Sequence, residues 1–179
     1  MKVRIVWISF FLLLPSLLFA QKGYNDQINR YNDKGQKEGY WIEDRGSDRI
    51  ETYYENGKKT GLFKSYSKST PSTLRYFGEF ADDKMVGLWY SFADKGHLFQ
   101  IDSDFGEIRD TIRLKGNVTY YAPFTCHTKF FYPNGKIRSE GTLLYGDDPQ
   151  LDGQEYGEWK YYDKNCLLYT SPSPRDMRR

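Results

Sequence analysis

Few side chains in this 179-residue chain have the types and spacing that do chemistry. A hydrolytic triad needs a nucleophile, a histidine base and an orienting acid, and the only histidines are His97 and His127. His97 follows the turn signal Asp94-Lys95-Gly96, which makes it a surface strand residue rather than a base. Cys126-His127 could offer a thiol nucleophile or a pair of metal ligands. Zinc, however, takes about four ligands, and adjacent strand residues point to opposite faces. Asp147, Asp148 and Asp152 lack the alternating carboxylates and the glycine of a calcium loop, so they read as a solvated loop. Asn117-Val118-Thr119 matches the N-glycosylation triplet, a pattern frequent by chance. The expectation is a protein that is not an enzyme, with no catalytic residue, cofactor or metal ion.

Residues 1–20 have the three-part layout of a secretory signal. Lys2 and Arg4 precede an apolar run from Ile5 to Leu14, then come Pro15 and a second apolar stretch ending at the expected cleavage point, Ala20. An uncleaved anchor is the alternative, although Pro15 breaks the run and it falls short of the roughly 20 residues of a spanning helix. No cysteine follows Ala20, so a lipoprotein anchor is not expected. The chain should be exported, to the periplasm, the outer surface or the medium, with no membrane insertion once the signal is removed. At the other end, Cys166 to Asp176 resembles the translation of a transposase sequencing adapter. Residues 166–179 are therefore expected to be a non-native tail that forms no strand and packs on nothing. Residues 21–165 are the domain proper, truncated at its carboxyl end.

Setting aside Lys2, Arg4, Arg175, Arg178, Arg179 and Asp176 leaves 21 basic against 23 acidic residues. Such near-neutral, interspersed charge gives no electrostatic footprint for nucleic acid or for an anionic membrane. Only Cys126 then remains, unable to form an internal disulfide and expected to be buried.

The elements that must position these residues are set by an internal repeat. Gly-x-aromatic-x-x-aromatic recurs at Gly61–Tyr66, Gly87–Phe92 and Gly157–Tyr162, with a weaker copy at Gly39–Asp44. The glycines lie 22, 26 and 70 residues apart, the spacing of a stacked array with a period of about 23 residues. Strand formers dominate, punctuated by Gly and Asn, and hairpin turns are signalled at Glu55-Asn56-Gly57, Asp94-Lys95-Gly96 and Pro133-Asn134-Gly135. The pattern predicts an all-β fold: a meander of antiparallel β-hairpins forming an elongated, twisted open sheet, with strands from Gly39–Asp44 through to Gly157–Asp163. Phe99–Pro123 lacks the Gly-x-Trp core and reads as a degenerate copy or an inserted hairpin. Separate strands are expected there and on either side, at His97–Asp102, Ile108–Leu114, Val118–Tyr121 and His127–Tyr132. Gly146–Tyr156 is the longest connection and a second candidate binding region.

Rings three apart, such as Trp89 and Phe92, must point to opposite faces. One face is expected to stack Trp41, Phe63, Trp89 and Trp159 as the repeat core, with Gly39, Gly61, Gly87 and Gly157 leaving room for those rings. The other face carries Tyr66, Phe92 and Tyr162, the candidate binding face.

The units Tyr54-Glu55-Asn56-Gly57-Lys58-Lys59-Thr60-Gly61-Leu62-Phe63 and Tyr132-Pro133-Asn134-Gly135-Lys136-Ile137-Arg138-Ser139-Glu140-Gly141 resemble the MORN-repeat variant of bacterial YwqK-type, antitoxin-like proteins. The resemblance covers most of residues 30–163 and departs from the pattern at Asp44, at Ser67–Pro71 and across Phe99–Pro123. It implies a chain of β-hairpins that serves as an interaction platform, often exported or surface-attached. Two binding functions are open. The first is a scaffold for a protein partner, of antitoxin or immunity type, which an exposed apolar surface of several hundred Å² would favour. The second is a glycan-binding module of the cell envelope, which a groove of flat aromatics flanked by acids would favour.

Overall fold

The computed structural model describes residues 27–68, 73–113, 119–147, 149–165 and 167–171; the expected signal and its cleavage point lie outside them. The strands are β1 (Arg30–Tyr31), β2 (Lys37–Arg45), β3 (Asp48–Glu55), β4 (Lys58–Ser67), β5 (Leu74–Ala81) and β6 (Lys84–Phe92). There follow β7 (Leu98–Arg113), β8 (Thr119–Phe131), β9 (Ile137–Tyr145), the single helical turn α1 (Pro149–Asp152), β10 (Gln154–Tyr162) and β11 (Leu168–Ser171). They form one 11-stranded sheet whose spatial order is the sequence order. The antiparallel meander expected from the repeat is what forms, and it stays open, with β1 and β11 as its edges.

Turn chemistry follows from the residues. Asn56 and Gly57 close the β3–β4 hairpin at φ of 50° and 83°, the positive values that two-residue hairpins need. Asp82 and Asp83 close β5–β6 in the same way, at 51° and 66°, because a short polar side chain tolerates the left-handed region. Wider turns share another design: the N–H groups of Asn32, Ala93, Tyr132 and Asp163 each donate to the carbonyl four residues on, at 2.8–3.0 Å.

The repeat glycines serve the backbone rather than the rings, which corrects the role expected for them. Gly39, Gly61, Gly87 and Gly157 have φ of 76°, 67°, 67° and 69°. At Gly61, Gly87 and Gly157 nothing lies within 4 Å of where a Cβ would stand. Strand pairing slips beside these three, and each is the left-handed residue of a β-bulge, which bends its strand and tightens the twist. Room for the rings comes from other glycines. A Cβ on Gly78 would overlap the Trp89 indole, and one on Gly141 would stand 2.5 Å from Trp159 Cδ2. Each indole therefore lies across the preceding strand, and its Nε1–H donates to that strand's backbone, to Glu79 O at 3.1 Å and to Thr142 O at 3.0 Å.

Large and small side chains consequently alternate across the sheet. One row of partners reads Trp41, Thr52, Phe63, Gly78, and resumes as Trp89, Asp102, Thr128, Gly141. The next reads Ile50, Ser65, Tyr76, Ser91, Gln100, Phe130, Ser139, Tyr161. An indole lying flat across a strand about 4.8 Å away needs a small residue beneath it, and Gly78 and Gly141 provide that space for Trp89 and Trp159. A compact hydrophobic cluster of Cys126, Leu143, Tyr145 and Trp159, backed by Phe105, Phe124, Phe130 and Tyr161, closes one end of this face.

Two expectations about strands are corrected. The four strands expected around Phe99–Pro123 are two, because the apparent breaks are bulges: pairing slips between Ser103 and Gly106 and between Glu107 and Asp110, with Asp104 and Arg109 both at φ 54°. Pairing with β6 stops at Asp102 and pairing with β9 starts at Phe124, so the far half of this hairpin projects past its neighbours. The tail, expected to form no strand and pack on nothing, supplies β11, paired from Trp159↔Ser171 to Tyr162↔Leu168. Edge pairing needs only main-chain groups, and the first proline of the tail, Pro172, comes just after.

Candidate functional site

Curling makes the Trp face concave. Residues as far apart in the sheet as Ile50 on β3 and Tyr145 on β9 line one groove of about 770 Å³, although those strands would stand about 29 Å apart on a flat sheet. Tyr54, Phe63, Tyr76, Phe80 and Phe124 contribute rings to its walls. Of the expected core residues, Trp41, Trp89 and Trp159 are 5%, 4% and 2% exposed, while Phe63 is half-buried, its ring centroid 5.3 Å from that of Trp89. The structure thus brings the repeat-core rings onto one face, where Phe63 and Trp89 line a cavity that the sequence did not announce.

The rim of the groove is charged, and most of the charges are matched. Lys37 pairs with Glu43, Arg75 with Asp48 at 3.8 Å, and Lys84 with Glu107 at 3.0 Å. Lys59 is different. Its Nζ sits 4.7 Å from the Phe80 ring centroid, and burial pulls its ammonium below the usual lysine value, with Arg45 pushing the same way and Asp83 and Glu43 opposing.

Where the Trp row crosses β7 and β8, its ring and glycine give way to polar groups. Asp102 is wholly buried. Its carboxylate accepts hydrogen bonds from Gln100 Nε2 at 2.9 and 3.0 Å and from Thr128 Oγ1 at 2.6 Å, and the Cys126 thiol lies 4.0 Å away. These bonds satisfy a carboxylate that could not otherwise remain inside. The cluster fastens the long hairpin into the sheet and has no opening to solvent.

On the outer face, Tyr66 and Phe92 are both half-buried and are linked through Leu74, which pairs with Tyr66 and lines a shallow notch with Phe92. Tyr162 does not join them. It stands four strands beyond Phe92, and its hydroxyl donates to Glu140 Oε1 at 2.8 Å, a bond that raises the phenol above its ordinary value. Residues without a motif fill in the rest of the patch. Phe77 and Tyr90 face each other across β5 and β6 with centroids 6.1 Å apart, and Ile101 is next in register. Leu62 and Leu88, each just before an inward ring, are 48% and 51% exposed.

The other singled-out residues stay apart. His97 closes a turn, its carbonyl accepting from Ala93 N–H at 3.0 Å. Cys126 is buried, as expected, while His127 alternates to the opposite face. Asp152 Oδ2 accepts from the N–H groups of Gly146 and Asp147 at 2.9 and 3.0 Å, so this loop acid closes the β9–β10 connection. Asn117, Val118 and Asp148 lie outside the described residues. Among the described residues no group of three or more His, Cys, Asp or Glu is placed to hold a metal ion.

No protein-family model matches the chain, and no curated protein does.

Proposed function

We propose that this chain is an exported, non-enzymatic β-repeat scaffold that holds a protein partner on the outer face of its sheet. The line Phe77–Tyr90–Ile101 carries the reading: three apolar side chains in register on adjacent strands, half-buried, on the convex side of a single-layered sheet. Glu51 and Lys64 continue that line on one side, and Lys129, Glu140 and Lys160 on the other. An apolar centre with a charged border is the layout of a protein interface, and large rings such as Tyr66 and Phe92 are its usual anchors. The likeness to MORN-type repeat platforms points the same way. A glycan site would want flat open rings beside free acids, whereas Trp41, Trp89 and Trp159 are buried and Glu43, Asp48 and Glu107 at the aromatic groove are held in ion pairs.

The test compares proteins retained by the immobilised chain with those retained by a Tyr66→Ala/Phe92→Ala variant of unchanged melting temperature. Loss of a saturable partner in the variant is the expected result. Retention of every partner overturns the assignment to this face, and a change in the chain's own mass by light scattering reassigns the face to a second copy.

A further inference from the structure

The groove on the inner face is separate from the outer patch, and its charges are unevenly matched. Its volume of about 770 Å³ falls in the usual range of ligand sites, about 300–1,000 Å³, where apolar walls take the body of a ligand and a few polar groups fix its orientation. Carboxylates on the rim are engaged: Glu43 by Lys37, Asp48 by Arg75, Glu107 by Lys84, and Asp83 by the Lys59 backbone N–H at 2.8 Å. Among the described residues of the groove only Asp147, on the β9 side, has its carboxylate in no ion pair or hydrogen bond. No ion pair among the described residues involves Lys59 or Arg45. Lys59 stands against Phe80 inside the groove, while Arg45 is exposed at its mouth. A cation held against an aromatic wall outside any ion pair, with Asp83 and Glu43 acting on it only from beyond contact, is a place where an anion gains most, because desolvation has already weakened its hold on water.

We propose that the inner groove binds an amphipathic carboxylate, its anionic head on Lys59 with Arg45 at the entrance and its apolar body against Phe80 and Phe63. The charge layout decides the class: a neutral apolar ligand leaves Lys59 without an ion pair, and a cation meets Lys59 and Arg45 where the nearby carboxylates, Glu43 and Asp83, are already engaged.

Two dyes of the same shape test this. Anilinonaphthalene sulfonate carries an anion, and phenylnaphthylamine has the same ring body without it. The full chain should bind the sulfonate at one saturable site, and decanoate should displace it where decanol does not. Lys59→Met should weaken the sulfonate about tenfold, the value of one charge-assisted hydrogen bond, and leave the neutral dye unchanged. Lys59→Arg keeps the charge and should keep binding, which separates loss of the anion site from loss of the fold. Equal weakening of both dyes by Lys59→Met, no weakening of either, or equal displacement by decanoate and decanol overturns the proposal.

Discussion

The inner face of this sheet hides its tryptophans and the outer face leaves its largest rings half out, although both are drawn from the same strands, residue by alternate residue. On the inside, two of the indoles lie over glycines: Trp89 over Gly78 and Trp159 over Gly141. On the outside, Phe77 meets Tyr90 and Tyr40 meets Tyr53, ring against ring, with no small residue to lie across. The difference teaches how a single layer makes a core. Burial here comes from folding each side chain flat onto the next strand, and curvature then brings distant strands over the result.

The sharpest way to break the comparison is to remove one ring from each face. Trp89→Ala should cost about 3–5 kcal/mol, as a buried aromatic does, and Tyr66→Ala about 1 kcal/mol or less, both read from urea unfolding. Equal losses would show a core on both sides and end the single-layer account. Next in size comes a contrast between two glycines. Gly78→Ala should cost about 1–3 kcal/mol by overpacking against Trp89, whereas Gly87→Ala should cost about 1 kcal/mol through its left-handed backbone alone. If Gly87→Ala proves the more damaging, the division between ring-seating and bend-making glycines is wrong.

Bends and rings were not equally legible in the sequence. The meander, the Asn56-Gly57 turn and the opposite facing of Trp89 and Phe92 all follow from period-two alternation and turn residues, which act locally. Gly78 is as plain in the sequence as Gly87, yet it belongs to no repeated word, because its partner Trp89 is on the next strand. Asp102 and Thr128 were hidden for the same reason, their pairing spanning a hairpin of unequal bulges. The groove was illegible because curvature accumulates over many strands, and Lys59 differs from Lys58 only by the face it lands on. Tyr162 shared a motif with Tyr66 and Phe92, but a motif carries no information about how many strands stand between its copies.

The smallest expected effect concerns alkaline pH on the outer face. Burial first, and then hydrogen bonding to Glu51, holds the Tyr40 phenol well above its ordinary value. A folded value above the unfolded value of about 10 means that stability from Tyr40 is whole below that pH and drains away as pH rises through the folded value. Tyr40→Phe should therefore narrow the drop in melting temperature between neutral and strongly alkaline buffer. An unchanged drop would place the alkaline sensitivity on Tyr54 or Tyr162, whose phenols are also raised.

The bulges at Gly61, Gly87 and Gly157 have one more consequence. Each arrives with a repeat and bends its strand, so every repeat that carries one adds to the curl of the sheet, like a hinge added to a folding ruler. The bore of the groove is then counted in repeats. A gene that duplicates or drops one hairpin changes the size of what the trough can hold while every residue lining the remaining copies stays as it was.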